Sequence, residues 1–302
     1  MKIIVTGGSG FIGQHLAEMF ASEGYEVTVI DKKNNKWPFL NKNILFVKED
    51  IRNYIKIKKY FEEADYVFHE AALVSVPESI KKPNDTIDNN IKGTVNILKC
   101  SYENNLKKVI FASSCAVYGM NDKIPIKEND EVFPFSPYAI SKLSAEYFLK
   151  MYNDEFGIKT TSLRYFNVYG PRQDCSSQYS AVIPIFVKNA LSDKDLVIYG
   201  DGSQTRDFVY VEDVVKANKT VMNSGDGEIF NVGFGQRVSI NDLARQIIEL
   251  TGSNSKIVHK KGRMGEVKHS LADISKISQI GFKPQVNLKD GLKKLITFFE
   301  KT

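Results

Sequence analysis

The first thirteen residues narrow the choice of fold more than any other stretch of the chain. Met1-Lys-Ile-Ile-Val5 is an apolar run of the kind that forms a buried strand, and Thr6-Gly-Gly-Ser-Gly-Phe-Ile-Gly13 follows it directly, with glycines at 7, 10 and 13. Phe11, Ile12, His15, Leu16, Met19 and Phe20 then recur at helical spacing. A strand, a glycine turn and a helix in that order aim free N–H groups and the positive end of a helix dipole at a diphosphate. The glycines keep side chains out of its approach. A second apolar stretch, Tyr25 to Ile30, ends at Asp31, where a carboxylate accepts from a ribose 2'-hydroxyl and repels a 2'-phosphate. The segment reads as a dinucleotide site that favours NAD over NADP. A glycine triplet alone also fits a bare strand-to-helix turn, so the reading rests on strand, helix and terminal acid together.

Strands and helices alternate through the first half of the chain. Ile3 to Thr6, Glu26 to Ile30, Ile44 to Val47, Tyr66 to His69 and Val109 to Ser113 read as strands, and Asp85 to Tyr102 reads as a long helix. The pattern predicts an α/β fold with a doubly wound parallel sheet of the Rossmann type. A second long helix is expected from Pro137 to about Phe156, with proline in its first turn, and Thr160 to Phe166 is expected to complete the sheet. Beyond about Gly170 the chain turns to Pro-, Gly-, Ser- and Asp-rich loops joined by short helices, which predicts a smaller α/β substrate-binding lobe. The expected division is 1–169 for the NAD-binding Rossmann domain and 170–302 for the second lobe, with the strand-then-helix pattern of 206–223 returning to the first.

A chain of 302 residues is long enough for a sizeable core and, at roughly 150 residues per domain, for two lobes. Hydrophobic and charged fractions of 42% and 25% are those of a soluble globular protein. The net charge of +5 comes from scattered lysines with no block of like charge, which argues against a nucleic-acid partner and suits an anionic small substrate. Cys100, Cys115 and Cys175 are odd in number and lack metal-type spacing, and His15, His69, His259 and His269 form no HxxxH or similar pair. The expectation is reduced thiols in a cytoplasm and no metal site. No leader precedes the first strand and no apolar run approaches the roughly 18 residues of a membrane span, so no membrane association is expected.

Ser113 and Ser114 end a predicted strand, and ligands in open parallel sheets bind beyond the carboxyl ends of the strands. Tyr138-Ala-Ile-Ser-Lys142 lies within the second long helix, where a four-residue separation puts tyrosine and lysine on one face, one turn apart. A nearby ammonium favours phenolate over phenol and is expected to lower the tyrosine pKa toward the range of a base at neutral pH. Ser114 is then placed to hydrogen-bond the hydroxyl whose proton is taken. The same Tyr-xxx-Lys spacing at Tyr54 and Lys58 reads as a solvated helix face.

TGGSGFIG, the Asp50-Ile51 pair, His69-Glu-Ala-Ala72, Asn90-Ile-Lys-Gly-Thr94, SSCAVYG at 113–119, YAISK at 138–142 and RYFNVYGPRQ at 164–173 together resemble the extended short-chain dehydrogenase/reductase family across almost the whole chain. The strings at 179–184, 199–208 and 263–270 are similar to the nucleotide-sugar site of its nucleoside-diphosphate-sugar 4-epimerases, closest to the UDP-N-acetylglucosamine 4-epimerase group. The resemblance implies NAD-dependent C4 epimerisation of a UDP-sugar through a transient 4-keto sugar. The implied substrates are the UDP-N-acetylglucosamine/UDP-N-acetylgalactosamine pair, alongside UDP-glucose/UDP-galactose. It implies Tyr138 as base, Lys142 as its pKa modulator and a nicotinamide-ribose ligand, and Ser114 on the sugar 4-hydroxyl. Cofactor contacts are implied for Gly7, Gly10, Phe11, Ile12, Gly13, Asp31, Asp50, Ile51, Ala71, Ala72, Asn90 and Phe166. Substrate contacts are implied for Ser75, Asn167, Val182, Tyr199, Arg206, Arg263, Glu266 and Ser270. Ser270, two residues before Ala272-Asp273, stands where a bulky tyrosine would exclude an N-acetyl group. An arginine fork suits phosphate oxygens, and each of Arg206 and Arg263 has an ordinary surface ion pair as its alternative.

Cys115 stands where a serine is frequent in the family, and Cys175 where a proline is common. The nearest rival reading is a 4,6-dehydratase or decarboxylase, which shares the first oxidation. Dehydratases of the family carry Thr-Asp-Glu after the strand-end serine, whereas Cys115 and Ala116 offer no carboxylate. A dinucleotide-sensing regulator without catalysis is the rival from another class, and such proteins often lose the tyrosine or lysine retained here. In the family, helices corresponding to 85–102 and 137–156 form a four-helix interface, so a homodimer is expected.

Overall fold

The computed structural model describes residues 1–121, 123–174, 182–262 and 267–302. In chain order the strands are Lys2–Thr6 (β1), Glu26–Asp31 (β2), Ile44–Lys48 (β3), Tyr66–His69 (β4), Lys108–Ser114 (β5), Thr160–Tyr165 (β6), Asn167–Tyr169 (β7), Leu196–Tyr199 (β8), Thr205–Tyr210 (β9), Glu228–Val232 (β10), Arg237–Ser239 (β11) and Ile257–Lys260 (β12). Seven of them form one sheet in the order β10-β6-β5-β4-β1-β2-β3. Every pairing in it is parallel.

Alternation along the strands explains why both faces of this sheet are covered. Ile3 and Val5 of β1 face one side with Val27, Val29 and Leu163, against Leu16 and Phe20 of the Phe11–Ser22 helix and Val214 and Val221 of the Val211–Val221 helix. Ile4 faces the other with Ile30, Val67 and Val109, against Ile97 and Leu98 of Gly93–Glu103 and Ala145 and Leu149 of Pro137–Phe156. A period of two on each strand thus feeds two cores, which is the doubly wound arrangement. The chain direction along the sheet reverses between β1 and β4, and a crevice opens there beyond the strand ends.

The sheet does not end at β6. Glu228–Val232 adds a seventh strand, parallel to β6 from Glu228↔Thr161 to Val232↔Tyr165, so residues far beyond Gly170 complete the first sheet. The strand of the 206–223 pattern does not join it: β9 lies between β11 and β7 in a separate three-stranded sheet. Val209 of β9 and the helix that follows, Val211–Val221, nevertheless pack into the first core. The region expected to be one long helix is three segments, Pro83–Ile87, a π-helical turn Asp88–Lys92 and Gly93–Glu103.

The Pro137–Phe156 helix has the limits its sequence predicts, for local reasons. The Ser136 hydroxyl accepts from Ala139 N at 3.1 Å, proline occupies the first turn, and Gly157 ends the helix at φ +73°. A further core unites Tyr169, Phe186, Leu196, Phe208, Leu243 and Leu292 beneath the smaller sheets β11-β9-β7 and β12-β8.

Candidate active site

The glycine loop closes on itself and on the neighbouring strand. Gly10 N donates to Gly7 O at 2.9 Å, and Gly10 precedes the Phe11–Ser22 helix with no side-chain cap, leaving the first N–H groups of that helix for a ligand. Gly7 has φ +68°, and a Cβ there would lie 2.6 Å from Ala71 N. A Cβ at Gly13 would lie 2.4 Å from Gly7 O. A bare turn does not require such close packing at both positions, whereas a backbone cradle for a diphosphate does. The Asp31 carboxylate, at the end of β2, accepts from Ser9 N at 3.1 Å and Lys33 N at 2.9 Å, which fixes it at the rim of the same crevice.

His69 ties β4 to this loop. Its Nδ1 lies 2.6 Å from Thr6 Oγ1 and its Nε2 2.9 Å from Thr94 Oγ1, while the Thr94 hydroxyl donates to Asn90 O at 2.5 Å. With that hydrogen committed, Thr94 accepts from His69, which assigns the proton to Nε2 and leaves Nδ1 to accept from Thr6. Burial holds the ring neutral, its pKa pushed down to about 3. Asn90 stands behind the cleft and does not line it. Its amide bridges Leu73 N at 2.8 Å and Ser141 Oγ at 2.9 Å, so it shapes the wall against the helix that carries Tyr138 and Lys142.

Ser114, Tyr138 and Lys142 line one cleft of about 1380 Å³ with Gly7, Gly10, Phe11, Ile12, Gly13, Asp31, Asp50, Ile51, Ala71, Ala72 and Phe166. The lysine is not an ion-pair partner of the phenol. Lys142 Nζ donates to Ala112 O at 2.6 Å and lies 5.9 Å from the centroid of the Tyr138 ring. Burial raises the Tyr138 pKa to about 12, with hydrogen bonding to Ser114 pulling the other way. The expected lowering by Lys142 is therefore corrected: the helical spacing brings the two side chains together, but desolvation of the phenolate outweighs an ammonium held by a carbonyl. Lys142 is itself pushed below the usual lysine range by burial, with Glu70 and Glu146 opposing.

Ser75, Asn167, Val182, Tyr199 and Arg206 line the same cleft. Ser75 caps the Val76–Lys81 helix, accepting from Glu78 N at 3.3 Å. Asn167 Nδ2 donates to Asp207 O at 3.1 Å, and Arg206 NH1 to Thr205 O at 2.9 Å. Ser270 is buried, its N–H donating to Thr205 O at 3.1 Å, and does not line the cleft. Arg263, Glu266 and Cys175 lie outside the described residues. The Asp50 carboxylate is engaged by Arg52 through Nε at 3.0 Å and NH2 at 2.6 Å, which lowers its pKa. Cys115 is half-buried, and desolvation pushes its thiol up to about 12, away from the range of an acid or base at neutral pH. The cleft also includes Lys32 and Trp37, outside the motif strings, and Glu70, Tyr165 and Arg172, which lie within them without an implied role. Glu70 had a visible signal, a carboxylate directly after the apolar strand Tyr66–His69, and Trp37 is the single tryptophan.

The site defines a nucleotide-dependent enzyme of the α/β class, and comparison with known proteins assigns its family. Residues 3–233 match the NAD dependent epimerase/dehydratase family. The chain belongs to that family of NAD-dependent enzymes. It is similar to a UDP-glucose 4-epimerase from Thermotoga maritima solved with UDP-glucose, at 40% identity over 100% of this chain and 99% of that one, TM-score 0.96. It is also similar to a UDP-N-acetylglucosamine 4-epimerase from Methanobrevibacter ruminantium in complex with UDP-N-acetylmuramic acid, at 40% identity over 99% and 98% of the two chains, TM-score 0.95. A UDP-N-acetyl-alpha-D-glucosaminuronate decarboxylase from Bacillus cytotoxicus is 36% identical over 99% of this chain and 97% of its own length. Among the described residues no helix is long and apolar enough to cross a membrane.

Proposed function

We propose that the protein interconverts UDP-sugars epimeric at C4, taking the N-acetylglucosamine/N-acetylgalactosamine pair and alongside it the glucose/galactose pair. One observation carries the reading: a single cleft joins the glycine cradle, the Ser114, Tyr138 and Lys142 cluster, and the Tyr199 and Arg206 end. Its volume of about 1380 Å³ exceeds the roughly 300–1,000 Å³ of a pocket for one small ligand.

The residues fit NAD, with Gly7, Gly10 and Gly13 around the diphosphate, Asp31 on the ribose and Lys142 at the nicotinamide end. NAD supplies a hydride acceptor that gives the hydride back within the turnover. Direct deprotonation at C4 is unrealistic because no neighbouring carbonyl stabilises a carbanion, so the sugar must pass through a 4-ketone. Tyr138, ionised to the phenolate against the burial that raises its pKa, takes the O4 proton as the ketone forms and returns it after the sugar has turned over, and Ser114 holds O4 in place. Lys142, 5.9 Å from the centroid of the Tyr138 ring, favours that phenolate in its charged form. Arg206 pairs with diphosphate oxygens, and Tyr199 flanks the base.

A decarboxylase shares the oxidation, and the similarity to one keeps that second reading in view. Incubation with UDP-N-acetylglucosamine, UDP-glucose and UDP-glucuronate, with products separated by chromatography, decides between them. Epimers with no loss of carbon dioxide are expected; a decarboxylated product would replace the epimerase reading.

The protein is also proposed to be a cytoplasmic homodimer, a location supported by the free thiols of Cys100 and Cys115. Ile140, Tyr147 and Met151 form an exposed apolar stripe on the Pro137–Phe156 helix, and Ile80 and Ile87 are exposed on the helices before Gly93. Apolar side chains spaced seven and four residues apart on one helix face suit a helical interface.

A further inference from the structure

Glu70 is a charged group on the cleft wall that the proposed proton transfer does not use. It follows β4 directly, and its N–H donates to Thr6 O at 3.1 Å, which holds its backbone at the crevice between β1 and β4. Tyr165 OH donates to Glu70 Oε1 at 2.9 Å, and Asn218 Nδ2 donates to the same phenol oxygen at 2.7 Å. The Asn218 bond occupies an acceptor position of that oxygen, so the one phenol hydrogen is left for Glu70. Asn218 is anchored in turn by its bond to Val214 O at 2.9 Å. The carboxylate is thus clamped through one oxygen by a chain of donors reaching from the Val211–Val221 helix. Among the described residues its other oxygen has no protein partner, and Glu70 lines the cleft beside Ala71, Ala112, Lys142 and Phe166.

We propose that Glu70 is the counter-charge of the nicotinamide end of the cleft and makes the site hold the oxidised, cationic ring more tightly than the reduced, neutral one. The ammonium of Lys142 disfavours a second cation nearby, and a fixed carboxylate on the same wall offsets it. The titratable groups around Glu70 are Tyr165 from β6 and Tyr138 and Lys142 from the Pro137–Phe156 helix, and the last two both respond to its charge. Burial lifts the Glu70 pKa above the ordinary carboxyl range, while the Tyr165 bond and Lys142 pull it down. The carboxylate therefore forms as pH rises, and the preference for the oxidised ring grows with it. An enzyme that must give its hydride back gains from such a bias; that purpose rests on the epimerase reading, but the binding preference does not.

The test measures dissociation constants for NAD and NADH on cofactor-stripped full-length protein by calorimetry, without sugar, between about pH 6 and pH 8. The wild-type ratio of the NADH constant to the NAD constant should rise with pH. In Glu70→Gln, which keeps an oxygen for Tyr165 but loses the charge, the ratio should fall about tenfold and its rise should flatten. Tyr165→Phe leaves the carboxyl but removes its donor, so the rise should move to higher pH and survive there. A folded Glu70→Gln with the wild-type ratio would overturn the proposal. So would a wild-type ratio that is flat with pH, a measurement that needs no variant. Because no sugar is present, either failure leaves the epimerase reading to its own product assay.

Discussion

Tyr138 shows how a residue's neighbours and its burial contribute separately to its chemistry. Its place in the first turn of the Pro137–Phe156 helix and the spacing to Lys142 are sequence properties, but the pKa pushed up to about 12 comes from burial that no spacing reveals. Tyr138→Phe should keep the fold and bound NAD while turnover falls at least about a hundredfold, read in the epimer assay; near wild-type turnover would refute its role as base. Asp31 uses both carboxylate oxygens on backbone N–H groups at the rim of the cleft. Calorimetry on stripped protein should show strong preference for NAD over NADP, and Asp31→Ala should erode it. Ser270 is the finest of these assignments. It is buried, its N–H bonded to Thr205 O next to Arg206, so a ring introduced there must displace its neighbours. Ser270→Tyr should abolish turnover of the N-acetylated pair and spare UDP-glucose; equal rates on UDP-N-acetylglucosamine would remove its role in substrate size.

At the scale of elements, the Pro137–Phe156 helix is tied to the sheet by more than its apolar face. Glu146, one turn beyond Lys142, accepts from Arg164 Nε at 2.9 Å and NH2 at 2.7 Å and from Ser113 Oγ at 2.5 Å, all buried. Glu146→Ala leaves an unpaired guanidinium in the core and should cost about 3–5 kcal/mol in denaturant unfolding; a loss under about 1 kcal/mol would show that Arg164 finds water or another acceptor. The helix was legible because capping serine, proline and terminal glycine all agree locally. β10 was not, because Glu228–Val232 is a short five-residue run that begins exposed and includes the polar Asn231 among its buried residues, and its parallel partner β6 lies 67 residues earlier, Glu228 pairing with Thr161. The π-helical turn at Asp88–Lys92 was invisible for a related reason: its register answers to the packing of Asn90 against Ser141 and Leu73, which are contacts across elements.

For the whole molecule, the exposed stripe on Pro137–Phe156 predicts assembly. Sedimentation should give a dimer, and Tyr147→Arg should yield a folded monomer; a wild-type monomer at assay concentrations would end the dimer reading. The amino-acid sequence by itself determined the α/β class, the glycine cradle with its acid at Asp31 and the pairing of Tyr138 with Lys142, because each is written in short-range spacing that a strand or helix converts directly into geometry. Only the tertiary structure decided that residues 228–232 close the first sheet, that Asn90 supports the cleft from behind, and that Glu70 shares its wall with Lys142. These depend on which distant segments meet and on how much water they exclude, and desolvation, unlike spacing, is a property of the packed molecule.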